Sequence, residues 1–469
     1  MQLTLGINEY LFRTSGKTVP ISYNTNDLIN GHMLLCGMSG TGKSHQSRRL
    51  LAAAGAQGIS IDIFDVHDEL GIPGSCSAKY SQATKYGYNP LILNLDLDTG
   101  GVNRQADFIV ALVKQVTPQF GVKQESALRN LIIDLYASRG IFADNPKSWA
   151  RSSINEAERK ALRSAQDWTK LRETYPTLTD LIDYAERKVL AIRFGADNKA
   201  MAALQRLSET NAKLLQAQTK LSNPQLSLAD KAALTARIDK FKGDCIETYT
   251  EAVQNNPARE LKDILKYDSR DVLVSVLQRL QLLNSTGIFD ANEPPLAGKV
   301  RVHQIKSLTR DQQILFVKLR LSQIFDAAKS QPATAGNHVR HIAFLDEAPQ
   351  YFSPDPDDII NIISREARKF GVALWCAAQE PTVFPQGFLT NCGTKLLLGI
   401  DPTFWKKTIT TMRITEDQLR YIKAQEVIAC KLHKQGQPDS SFINVVVPNS
   451  RTPQGRAAEA IEQRQAQGA

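Results

Sequence analysis

The sequence predicts an α/β protein with a mostly parallel sheet, interrupted by an α-helical insertion. Three observations predict it. Short apolar runs, too continuous for strands with one wet face, alternate with stretches of helical spacing. A glycine-rich turn lies between one such run and one such helical stretch. Between about 150 and 285 the β-branched runs give way to charged, alanine-rich sequence.

Taken in order, residues 1 to about 30 read as short strands, LTLGINEYLFR and TVPISYN, leading into the apolar run Met33-Leu34-Leu35-Cys36. The turn follows, and then SHQSRRLLAAAGAQG at helical spacing. ISIDIFDVHDEL (59–70) alternates apolar with polar residues and ends in acids, which predicts a second core strand. LILNLDLD (91–98) reads as a further strand. In the insertion, a seam through Leu207, Leu214 and Leu221 and another through Leu234, Ile238 and Phe241 flank SNPQLS, the pattern of an antiparallel helical hairpin. Strand texture returns in KVRVHQI, HIAFLDEAPQYF, GVALWCAAQ, TKLLLGI, EVIACKL and SFINVVV. The predicted organisation is N-terminal strands and the first part of the core over 1–149, the insertion over 150–285, and the second part of the core over 286–450. The polar tail, 451–469, reads as extended or partly disordered.

Composition narrows the class. Apolar residues make up 42% and charged ones 22%, as in an ordinary globular protein. No apolar run reaches the roughly 18 residues a membrane span needs, and the N-terminus lacks a secretory layout. The six cysteines, with no C-x-x-C pair, read as reduced thiols in a cytoplasmic protein. A net charge of +9 suits a polyanionic partner such as DNA.

The turn itself is LLCGMSGTGKSHQ. Its loop, Gly37, Met38, Ser39, Gly40, Thr41, Gly42, Lys43 and Ser44, fits G-x-x-x-x-G-K-[ST]. Glycines let successive backbone N–H groups face a phosphate. Lys43 would reach the β- and γ-phosphates of ATP, and the Ser44 hydroxyl would bind Mg²⁺. At the end of IAFLDEAPQYF, Asp346 would hold the metal and Glu347 would polarise the attacking water. Gln379 ends another apolar run, where an amide either senses the γ-phosphate or caps a loop. Arg365 and Arg368, three apart in IISREARKFGV, form either a cationic fork acting across a subunit boundary or ordinary surface ion pairs. In DVHDE, Asp65 and Glu69 are candidates to assist the metal or water, and His67 reads as structural.

Together these stretches, in this order over roughly residues 20 to 400, resemble the HerA/FtsK superfamily of hexameric, RecA-like DNA-pumping ATPases, the HerA branch above all. The resemblance implies a hexameric ATPase ring that threads double-stranded DNA as a helicase-like motor. It implies catalysis by Glu347 with Asp346 on the metal, sensing by Gln379, and an arginine near Arg368 acting in trans. With 36 residues before Gly37, the N-terminal β-barrel of HerA-type members is not expected, nor is its docking of a nuclease. Two other readings stand beside the motor: a soluble coupling or assembly ATPase of a conjugation or secretion apparatus, and a nucleotide-gated scaffold for an effector.

Overall fold

A computed structural model describes the chain except residues 118, 195–197, 223–226, 255–265, 268, 286, 335–337, 438–439 and 468–469. It divides into two compact units: Met1–Tyr88 with Thr286–Ala469, and Asn89–Ser285.

The first unit carries every strand of an eleven-stranded sheet. In chain order these are β1 (Gln2–Asn8), β2 (Pro20–Asn24), β3 (Met33–Cys36), β4 (Ser60–Asp65), β5 (Cys76–Lys79) and β6 (Val300–Gln304). After them come β7 (His341–Leu345), β8 (Val372–Ala378), β9 (Thr394–Leu397), β10 (Val427–Leu432) and β11 (Ile443–Val446). Their spatial order is β2-β1-β11-β10-β9-β3-β8-β7-β4-β6-β5. From β9 to β5 all neighbours run parallel. The four strands on the other flank join antiparallel. The sheet is therefore mostly parallel, as expected, with an antiparallel flank.

Side-chain alternation along the parallel strands builds two different faces. Ile61, Ile63, Ile342, Phe344, Ala373 and Trp375 are buried in one core with Leu50, Leu51 and Ala54 of the helix Lys43–Ala56. Each such Leu or Ile contributes about 1.5–3 kcal/mol by leaving water. The intervening residues of β4 point the other way. There Phe64 meets Phe316 of the helix Arg310–Lys329 edge-on, with ring centroids 6.2 Å apart, and stacks on His303 at 5.1 Å.

The second unit is helical. Asn198–Leu221 and Leu228–Gln254 pack along each other, and the ion pair Arg206–Glu251 (2.9 Å) joins the start of the first to the end of the second, so they run antiparallel. The expected turn at SNPQLS falls largely on 223–226, outside the described residues. Elsewhere in the unit, buried Asp180 accepts from Arg159 (2.7 Å) and Arg163 (2.6 Å) and pairs with Arg139 (2.9 Å).

Several readings of the sequence change. The helical unit begins at Asn89, well ahead of the textural change at 150. LILNLDLD forms no strand: Asn94 and Asp96 accept from the backbone N–H groups of Asp96, Asp98 and Thr99, which turns the chain back on itself. The second half of LTLGINEYLFR is a helix, Glu9–Ser15, capped by Asn8 and ended by Gly16 at φ 67°. The tail, read as extended or partly disordered, is helical over Pro453–Gln467.

Candidate functional site

The site lies at the C-terminal ends of β3, β8, β7 and β4, where ligands collect in open parallel sheets. After Cys36 the chain leaves β3, loops through Gly37–Gly42 and enters the helix at Lys43. Gly40 and Gly42 take φ of 81° and 95°, a left-handed conformation that glycine adopts without strain. A side chain at Gly37 would collide with the Thr41 hydroxyl, whereas beyond Gly40 the space is open. Met38 N–H donates to the Gly399 carbonyl (3.0 Å) and Gly37 N–H to that of Ala378 (3.1 Å), so the loop is anchored to the ends of both neighbouring strands. Gln425 braces it from outside. Its backbone N–H donates to Thr41 O (3.2 Å) and its amide to Gly40 O (3.1 Å).

β7 delivers the acids. Asp346 is buried, its backbone N–H donating to Phe64 O at the end of β4 (3.3 Å). Glu347 then adopts φ 47° and ψ 44°, which is strained for a residue with a side chain. A tight turn, Ala348–Tyr351, takes Pro349 at its second position, and Glu347 is left reaching back to Lys43: Nζ to Oε1 is 3.4 Å. Burial pushes the Asp346 carboxyl up to about 6. Lys43 and His67 pull it down, while Glu347 and Asp65 push it further up.

The loop after β4 completes the cluster. Asp65 is consumed structurally, accepting from His67 N–H (3.1 Å) and Leu70 N–H (2.8 Å). That arrangement folds the loop so that His67 Nε2 lies 3.8 Å from Glu347 Oε1 and Glu69 accepts from the Ser44 hydroxyl at 3.3 Å. Sequence reasoning named these residues but had no signal for their contacts, since Glu347 lies far away along the chain.

Gln379 is exposed and follows Ala378, which is in register with Cys36 at the end of β3. Because β8 runs between β3 and β7, Gln379 emerges between the phosphate loop and the acidic pair. The two arginines separate. The helix Ile359–Glu366 ends just after Arg365, and Arg368 lies in the 3₁₀ turn Ala367–Phe370. Arg365 donates to the Pro356 carbonyl (2.6 Å), so it is engaged within the subunit. Arg368 is exposed, and its guanidinium makes no hydrogen bond among the described residues. Beside the loop opens a cavity of about 340 Å³, lined by Gly42, His45, Gln425 and Arg451 among others, which the sequence reading did not anticipate.

No group of three or more His, Cys, Asp or Glu poised for a metal occurs among the described residues. The Ser44 hydroxyl and the Asp346 carboxyl are hard oxygen donors of the kind Mg²⁺ takes when phosphate oxygens and water complete its shell. They fit that ion better than a metal held by protein alone.

The family model "Helicase HerA, central domain" (DUF87) matches residues 11–242, taking in the phosphate loop and the strand β4. The matched stretch is just under half of the chain and supports a HerA/FtsK-like superfamily. A HerA/FtsK-type relative, the DNA double-strand break repair helicase HerA of Saccharolobus solfataricus, is 27% identical over 146 residues, which span 29% of each protein. The chain thus aligns with under a third of that relative's length. In fold it is similar to VirB4 of Thermoanaerobacter pseudethanolicus, with a TM-score of 0.58 at 14% identity over 96% of this chain and 97% of that one. The plasmid coupling protein TrwB, in complex with ADP and Mg²⁺, gives a TM-score of 0.45 at 13% identity over 97% of this chain and 96% of that one. The α/β fold is that of the RecA-like ATPases. No described helix is long and apolar enough to cross a membrane.

Proposed function

We propose that this chain is an ATP-hydrolysing motor that assembles into a ring, a hexamer by kinship, and drives double-stranded DNA. The observation that carries the reading is the meeting of Lys43, Ser44, Asp346 and Glu347 at one sheet edge, with the strand of Gln379 running between the two groups. The loop N–H groups and Lys43 bind the phosphates, and the cavity beside Gly42 seats the nucleoside. Ser44 and Asp346 hold Mg²⁺, which supplies charge neutralisation at the phosphates when bound. Glu347, released from Lys43 once that ammonium turns to the nucleotide, accepts a hydrogen bond from the attacking water. His67, close to the same oxygen, steers the carboxylate. Gln379 contacts the γ-phosphate or the water. Arg368, unengaged within its own subunit, reaches a neighbour's site, a role that Arg365 is less free to take. The surplus of positive charge supports grip on a phosphate backbone without base reading.

ATPase turnover measured with and without duplex DNA tests the reading. Stimulation of several-fold or more supports the motor. Hydrolysis indifferent to DNA of any form and accelerated by a membrane partner would replace it with the coupling ATPase. For the arginine, mixing Arg368→Ala with Glu347→Gln subunits should restore part of the activity that each has lost alone.

A further inference from the structure

The opposite edge of the same sheet carries a second charged cavity, of about 430 Å³. It opens where β4 and β7 begin, at Ser60 and His341, so the length of the strands separates it from the phosphate loop. One wall is a single face of the helix Arg310–Lys329: Arg320, Gln323, Ile324, Ala327 and Ala328 recur at steps of three, one, three and one. Arg301 and Arg340 complete the basic lining, and no carboxylate lines it among the described residues.

Behind the cavity lies one acid, Asp62, fully buried on β4. It is saturated. Arg301 donates to it through two nitrogens, His303 Nε2 lies 2.6 Å away and His341 Nε2 2.8 Å away. One carboxylate offsets one guanidinium, and Arg301 takes it. Arg320 reaches the same carboxylate only at 4.0 Å, the outer limit of an ion pair, and its closer contacts are with neutral groups. Its plane lies over the Tyr88 ring at 3.8 Å, Nη1 donates to the Gln323 amide oxygen (2.5 Å), and its buried Nε has no acceptor. Arg340 donates to the Pro332 carbonyl (2.8 Å) and to the Gln331 amide (3.4 Å), again neutral groups. Three guanidiniums, those of Arg301, Arg320 and Arg340, therefore face one carboxylate, and Arg340 pairs with no acid among the described residues, so surplus positive charge borders the cavity. Partly buried charge in that state is costly, and an anion that accepts from the Arg320 and Arg340 forks relieves it.

We infer that this cavity is a second phosphate-binding site, held by Arg320 and Arg340, which takes the phosphate group of a free nucleotide or of a DNA end. The apolar part of the wall, Ile324, Ala327 and Phe370, would cover the non-ionic remainder of such a ligand.

The test uses the full chain carrying Lys43→Ala, so that the loop site is silenced, with pyrophosphate as the probe in calorimetric titration. Saturable binding is expected, weakened at least tenfold by Arg340→Gln and by Arg320→Gln, with partial recovery in Arg340→Lys. Arg340 is only half-buried, so its variants report even if Arg320→Gln fails to fold. Competition then separates the sources. Displacement by a 5′-phosphorylated duplex but not by its 5′-hydroxyl counterpart identifies a DNA end, and displacement by AMP identifies a nucleotide. Absence of saturable binding overturns the inference, as does binding that Arg340→Gln leaves untouched. Binding in wild type that vanishes with Lys43→Ala assigns the phosphate to the loop alone and also overturns it, while leaving the proposed motor intact.

Discussion

Two buried aspartates on neighbouring strands, Asp62 near the start of β4 and Asp346 just beyond β7, have opposite surroundings. Asp62 is ringed by Arg301, His303 and His341. Burial works against its charge, yet the hydrogen bonds win and hold the carboxyl well below the usual carboxylate range. Asp346 is nearly as buried but accepts no side-chain hydrogen bond among those described, and its carboxyl rises to about 6. A charge with fixed partners is structural. A charge buried without them waits for a ligand to supply the partner, which is how a site is told from a scaffold on one sheet.

The comparison is breakable. Asp62→Asn should cost about 3–5 kcal/mol of stability, because it leaves a buried guanidinium with no carboxylate; urea unfolding measures it. A loss below about 1 kcal/mol would mean that Asp62 is not structural. On the working edge, Lys43→Ala should lower ATP turnover by roughly 10²–10³-fold, comparable to removal of a charge-stabilising donor elsewhere, with little change in unfolding midpoint. Near-normal turnover sinks the loop assignment. In the helical unit, Asp180→Asn should cost about 2 kcal/mol, since Arg159 and Arg163 lose a charged acceptor. Burial opposes the Asp180 charge, but Arg139 and Arg159 outweigh it and hold the carboxyl low. Its stabilisation is therefore present above the unfolded value, about 4, and fades as pH falls below that. Denaturation of the wild type and Asp180→Asn should converge at acid pH. The smallest effect is expected at Asp346→Asn: stability within about 1 kcal/mol of wild type or above it, since the change removes a charge that burial disfavours. A drop as large as that of Asp62→Asn would erase the distinction.

How far the sequence foretold this depends on where the information lies. The phosphate loop, Asp346 and the parallel strands were legible because glycines, acids and apolar runs act locally. Asp62 was hidden in plain view. Within ISIDIFDVHDEL it looks like any polar residue of an alternating strand, and its partners arrive from β6 and β7, more than 230 positions later. The contacts of His67 and Glu69 were unreadable for the same reason. LILNLDLD misled because its apolar alternation suits a strand, while Asn94 and Asp96 offer the backbone a local alternative. The helix Pro453–Gln467 looked too polar to order. It is fixed by Ala458, buried against Ile7, Val427 and Val446, and by the ion pair of Glu462 with Arg49.

β1 has β11 as a neighbour, with Ile7 paired to Val446. During synthesis that pairing has to wait on the order of half a minute or more at ordinary rates of elongation. Throughout that delay the nascent chain presents the unsatisfied edge of β1 that faces away from β2, at which stray association competes with completion. Slowing the ribosome late in the message should therefore lower the yield of soluble protein more than slowing it early.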